Sequence, residues 1–249
     1  FVPDVILAHP GWGETLYAKE VYPAARLVHL CEWFYNGTGA DLGFDPEFPV
    51  TLDDRTRVRT WNALHTLNLT NCDVGIAPTH WQRQQHPEIF QPKIRVQHEG
   101  VATHLLTPDP KATGVTPSGV ALRAGDPVVT FVARNLEPYR GFHIFMRALE
   151  RIQREHPTCH ALIVGSDTAP VREVISDGRN GRLVPFFDER AIARNAIEMM
   201  QTRKAQIPMR KQARADAQAY SFRAGVAGYD RAIGWGAAHT AAERASRQA

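Results

Sequence analysis

Two arginines and a glycine bracket a short Pro-containing turn in Phe131-Val-Ala-Arg134-Asn-Leu-Glu-Pro-Tyr-Arg140-Gly141-Phe142. An apolar strand-like run ends at Arg134, the turn delivers Arg140, and Gly141 opens a helix-like stretch. Ligands in open α/β sheets bind outside the carboxyl ends of strands. Free N–H groups at a helix start favour anions, and guanidinium groups add charge-assisted donors matched to phosphate oxygens. The spacing therefore fits a phosphate site, with two solvated arginines on a surface turn as the plain alternative. A second constellation is Ala8-His9-Pro-Gly11-Trp12-Gly-Glu14. A His and a Glu on a Gly-rich loop at a strand's carboxyl end suit the binding of acceptor hydroxyls or the polarising of a sugar; a capped loop with a structural His is the other reading. Glu32, just after the second strand, has the same two readings. Trp12, Trp33 and Tyr35 offer faces for a sugar ring or, more commonly, packing.

Other chemistries are missing from the sequence. There is no GxGxxG after a strand, no GxxxxGK[ST], no GxSxG and no HExxH, which argues against a nicotinamide enzyme, a P-loop NTPase, an α/β-hydrolase and a zincin. The 11 histidines are scattered without convincing metal spacing. Cys31, Cys72 and Cys159 form no CxxC and read as reduced, mostly buried thiols of a cytoplasmic protein. Asn36-Gly-Thr and Asn68-Leu-Thr fit the glycosylation sequon by chance. The formal charge of +3, with no dense Lys/Arg run, gives no case for nucleic acid. Peripheral contact with an anionic membrane is kept open, although no apolar run approaches the ~20 residues that span a bilayer.

The elements that position these residues alternate strand and helix. Strands are expected at Asp4–Ala8, Arg26–Cys31, Asp73–Ala77 and 93–97. Helices are expected from Glu14 to Glu20, from a cap at Asp53 or Asp54 to Asn71, and from Pro78-Thr79 through His86. Val58, Trp61, Leu64 and Leu67 recur on one face of the longest. Residues 101–126, rich in Pro, Gly, Thr and Ala, read as a linker. The style then repeats: strands at Val128–Ala133, 159–164 and 182–185, and helices from Gly141 to Glu155, from Val171 to Ser176 and from Asp188 to Thr202. The earlier of the two long helices carries Phe142, Phe145, Met146 and Leu149 on one side. An Ala/Arg-rich helical remainder runs to Ala249. Strands alternating with helices predict parallel sheets and an α/β class.

The Phe131–Phe142 segment closely resembles the start of the C-terminal domain of family 4 glycosyltransferases, where an Arg and a following Lys bind the donor pyrophosphate. Arg134 matches that Arg; Arg140 stands where the Lys is usual. Ile94-Arg-Val-Gln-His-Glu-Gly100-Val resembles the family's junction into the linker. Gly165-Ser166-Asp167-Thr168-Ala-Pro-Val-Arg-Glu173 resembles the strand–loop–helix after the donor site, and Asp177-Gly-Arg-Asn-Gly181-Arg-Leu-Val its DGxNGxLV turn. Two departures stand out. The family's opening strand and glycine-rich loop are absent, and Leu162-Ile-Val-Gly165 runs straight into Ser166, without the block that carries the E-x7-E carboxylates. The chain thus reads as truncated at its start and internally shortened.

The resemblance implies a GT-B-like fold of two Rossmann-like domains with parallel sheets facing across a cleft, divided as 1–110, a linker 111–126, and 127–249. It implies a retaining transfer of a sugar from a nucleoside-diphosphate sugar to an acceptor hydroxyl, in glycan biosynthesis, with no cofactor and no obligatory metal. Arg134, Arg140, Gly141, Ser166, Asp167, Thr168 and Glu173 become the donor set. Arg134, Arg140 and His9 are the catalytic candidates, and His9, Gly11, Trp12, Glu14 and Glu32 the acceptor side. The expected partners are the nucleotide-sugar donor and a glycan or lipid-linked acceptor. A non-catalytic nucleotide- or partner-binding remnant and a sugar-nucleotide epimerase are the alternatives.

Overall fold

The computed structural model describes residues 1–115, 119–131, 133, 138–160 and 171–234. The chain divides into two compact units, one formed by Phe1–Val101 with Tyr220–Ala249 and the other by Ala102–Ala219.

The first unit holds four parallel strands, β1 (Val5–Ala8), β2 (Arg26–Leu30), β3 (Val74–Ala77) and β4 (Ile94–Val96), in that spatial order. Their register pairs Leu7 with Val28, Val28 with Val74, and Ile76 with Arg95. Successive side chains point to opposite faces, so Leu27 and Val28 serve different cores. Leu27, Cys31, Ala77 and Ile94 pack with Leu69 and Cys72 on one side. Val28, Val74 and Ile76 pack with Ala232 on the other. Cover on both faces is why β2 and β3 read as continuous apolar runs.

The first cover is α2 (Leu52–Asn71). Its cap is Thr51, two or three residues before the expected aspartates. The Thr51 hydroxyl accepts from the Asp54 N–H and the Asp54 carboxylate accepts from the Thr51 N–H, a capping box worth about 1 kcal/mol. Its inner face also differs from expectation. Val58, His65, Asn68 and Leu69 are buried, whereas Trp61 and Leu67 are about half exposed. Two polar side chains displaced the apolar ones because they serve a loop, as described below. The shorter α1 (Ala18–Val21) and α3 (His80–Gln84) follow β1 and β3.

The second cover comes from α8 (Phe222–Ile233), capped by Ser221. Its Gly225 and Gly228 leave no room for a Cβ against Glu99 and Gln97. Backbone bonds from Val101 N–H to Tyr220 O and from Phe222 N–H to Val101 O fix the approach. The sequence placed this helix with 127–249; it instead completes the core of the first unit. Amphipathic spacing shows that a helix needs an apolar partner but not which sheet supplies it.

The second unit is organised around α4 (Phe142–Glu155) and α6 (Glu189–Gln201). Ile152, Ala193 and Ala196 close over Val129 and Cys159, and Ile144, Ala148 and Ile192 over Val184. Met146, expected to face inward, is 45% exposed, and Ala148 takes its place. The expected linker contains an antiparallel pair, β5 (Thr113–Val115) with β6 (Ala121–Arg123). It is the only sheet among the described residues of this unit. The described residues of 128–133 form no ladder there, and 159–164 runs outside the described residues after His160, whose N–H bonds Pro127 O. Residues 182–185 form no strand either. Asp177 caps that stretch by accepting from the Leu183 N–H. The unit ends in α5 (Val171–Val174), α6 and α7 (Ile207–Ala217).

Candidate active site

In the first unit, His9 and Glu32 follow neighbouring parallel strands, β1 and β2, and so meet at the carboxyl edge of the sheet. His9 Nε2 lies 3.7 Å from a Glu32 carboxylate oxygen, with Glu32 the more exposed partner. The Gly11 N–H donates to His9 Nδ1 at 3.0 Å. A nitrogen that accepts carries no proton, so the neutral ring holds its hydrogen on Nε2, the atom facing Glu32. The pair thus presents one N–H donor and one carboxylate acceptor side by side. Such a pair can bind a hydroxyl group.

The loop that aims His9 is held from below. The Asn68 side-chain amide donates to Pro10 O at 2.6 Å, from a fully buried position. That burial also removes the Asn68 sequon from surface chemistry. A Cβ on Gly11 would come within 2.8 Å of His9 Cε1 and 3.1 Å of His65 Cε1, so only glycine fits between the two rings. Gly13 adopts φ 90°, in the left-handed region. Thr15 and His29, both buried, are bonded at 2.9 Å through the hydroxyl and Nε2. His65 stands edge-on to His9, Phe34 and Tyr35.

Burial dominates the electrostatics. It lowers His29 to about 4, with help from Lys93, His9 and His65. Burial likewise lowers His65 to about 4, with His9 and His86 adding to it. His29 Nδ1, His65 Nδ1 and Asn68 Oδ1 are buried without a hydrogen-bond partner. These rings are neutral supports. None of the four residues Thr15, His29, His65 and Asn68 was singled out from sequence for this role. Asn68 figured there only in a chance sequon, and the spacing of His65 and Asn68 to His9 carries no signal.

Trp12 lies beside His9, ring centroids 6.0 Å apart, and is 77% exposed. Trp33 and Tyr35 are structural. Trp33 packs on Trp81 at 4.9 Å and its indole N–H donates to Asp41. Tyr35 packs on Trp61, and its backbone exchanges two hydrogen bonds with Asn62. Burial pushes the Asp41 carboxyl up, although the Asn36 and Trp33 N–H donors pull the other way. Glu14 sits on the same loop as Trp12, exposed.

In the second unit, Arg140 closes a 3-10 turn, Pro138–Arg140, directly before α4. Gly141 caps that helix at φ 71° and ψ 22°. A Cβ there would reach 2.7 Å from the Phe186 ring, so glycine is required twice over, by conformation and by space. The Asp177–Gly181 turn is built by buried Asn180. Its side chain accepts from Ser176 N–H and donates to Val174 O and Asp216. Glu173 is exposed on α5. Arg134, Ser166, Asp167 and Thr168 lie outside the described residues.

Comparison with known proteins points to a similarity over the first unit. Residues 1–106 match the Glycosyl transferase family 4 group. This stretch is similar to the family 4 glycosyltransferases. It contains the His9 loop, Glu32 and the parallel sheet that carries them. The chain is also similar to Anabaena HepE (Alr3699). In its crystal structure with UDP and glucose, the likeness has a TM-score of 0.58 at 15% identity, covering 96% of this chain and 78% of that one. In the structure with UDP-glucose it has a TM-score of 0.58 at 14% identity, covering 96% and 79%. That likeness supports the GT-B-like α/β fold expected from the glycosyltransferase resemblance. No curated protein matches the sequence significantly. No helix among the described residues is long and apolar enough to cross a membrane.

Proposed function

We propose that this glycosyltransferase moves a sugar from a nucleoside-diphosphate sugar to an acceptor hydroxyl with retention of configuration. The observation that carries the reading is the His9–Glu32 pair at the carboxyl edge of the family 4 sheet, held in one tautomer by the Gly11 N–H. His9 Nε2–H donates to a sugar oxygen, and Glu32 accepts from a hydroxyl. Trp12 offers an exposed ring face next to them.

Arg134, Arg140 and the amino end of α4 receive the diphosphate. Their fixed charge stabilises the leaving group more as the glycosidic bond breaks, which is the differential binding that lowers a barrier. Positive charge from the chain takes the place of a metal ion in this scheme. Ser166, Asp167, Thr168 and Glu173 complete the donor set.

UDP-glucose is the donor to try first, because HepE was crystallised with it. Release of UDP, with the product anomer read by proton NMR, tests transfer and retention together. Arg134→Ala is expected to lower kcat/KM about 100-fold or more, and Arg140→Lys less, because it keeps the charge. Equal losses overturn the division of roles. His9→Ala with unchanged kcat/KM overturns the placement of the site at the β1 edge.

A further inference from the structure

We propose that the outer groove between α4 and α6 is a second anion site, one that takes a phosphate-bearing ligand independently of sugar transfer. The groove, of about 530 Å³, is lined by Arg151 and Arg154 from α4 and by Arg190 and Arg194 from α6, over a floor of Ala193 and Ile197. That volume falls in the range of small-molecule pockets. Four guanidinium groups face two carboxylates, those of Glu155 and Glu198.

The existing pairings leave the charge unbalanced. Glu198 is engaged at 2.9 Å by Arg182, which lies outside the groove lining. Arg154 pairs with Glu150 and Arg151 with Glu189. Arg190 and Arg194 have no salt bridge to any described carboxylate. They stand four residues apart on one helix face, where like charges repel. The buried side chains of Ala193 and Ile197 exclude water behind the guanidinium groups and strengthen their field toward a ligand. Planar forks converging from two helices match phosphate oxygens bidentately. A phosphate supplies the missing negative charge, whether it belongs to a soluble phosphorylated compound or to an anionic lipid headgroup.

Arginine-selective labelling with phenylglyoxal, mapped by mass spectrometry, reads the site residue by residue. It therefore separates this groove from the turn at Arg140. Inorganic pyrophosphate is the soluble probe and phosphatidylglycerol vesicles the lipid probe, each against chloride at equal ionic strength. Labelling of Arg190 and Arg194 is expected to slow about threefold or more, the mass-action protection at two Kd of ligand. Exposed Arg59 on α2 should label at an unchanged rate. Protection by pyrophosphate assigns a soluble ligand; protection by vesicles alone assigns a headgroup. Equal labelling of Arg190 and Arg194 with and without both probes, or equal slowing at Arg59, overturns the proposal. The Arg190→Gln/Arg194→Gln variant serves as a second readout, since vesicle flotation that is unchanged by it excludes the headgroup source.

Discussion

The His9 loop and the Asp177–Gly181 turn are both short, glycine-containing connections, yet they are fixed in different ways. The turn is held mainly by its own neighbourhood: Asn180 bonds Ser176 and Val174, and Asp177 bonds Leu183. The His9 loop is held by Asn68 and His65, which arrive from a separate helix. Local support yields a motif that can be read as a string. Remote support yields a geometry that exists only once α2 has docked, so the loop's shape depends on the unit's stability.

The largest expected effect breaks the remote support alone. His29 and His65 have folded values near 4 against an ordinary 6.5. Between those limits the unfolded chain binds more protons, so stability is full above about pH 6.5 and is lost as pH falls toward 4. Each ring contributes up to about 3 kcal/mol to that loss. Urea denaturation from pH 7.5 to 4.5 checks it. His65→Gln should flatten the profile by one proton's worth, and an unchanged slope would show that the ring is not neutral in the fold.

Next come Gly141 and Gly178, two of the left-handed glycines of the second unit. Gly141→Ala meets the Phe186 ring as well as a strained backbone, and should lose about 2–4 kcal/mol. Gly178, at φ 73°, has open space around it, so Gly178→Ala should lose only about 1–2 kcal/mol. Thermal melts of the pair measure the contribution of the ring contact by difference.

Of a size with Gly178→Ala, Asn68→Ala and Asn180→Ala each remove buried hydrogen bonds and should cost about 1–3 kcal/mol. Their functional effects should differ. Asn68→Ala should also lower the proposed sugar transfer by freeing the His9 loop. Parallel denaturation and steady-state assays sharpen the comparison, and an activity loss no greater than that of Asn180→Ala would sink the positioning role of Asn68. The smallest stability effect belongs to Glu32→Gln. The exposed pair with His9 contributes at most about 0.5 kcal/mol, so a melt should barely move while transfer falls.

The four strands of the first unit and the long helices were legible because period-2 and 3.6 patterns report burial directly. Glycosyltransferase resemblance was legible in the string at Asp177–Gly181, where Asp177 and Asn180 bond mostly to near neighbours, with Asp216 reaching in from farther along the chain. The inner face of α2 was not. His65 and Asn68 look like solvent-facing residues, and Trp61 and Leu67 look like core, until a loop some fifty residues away needs a donor.

By itself the sequence determined the α/β class, the candidate residues at strand ends, and a charge pattern suited to a diphosphate. These depend on residue type and short spacing. Only the tertiary structure decided that His9 meets Glu32 with its proton on Nε2, that Asn68 holds Pro10, and that α8 completes the first sheet. Each of those is a contact between segments far apart in the chain. Whether two such segments meet is set by the packing of everything between them, which no local pattern encodes.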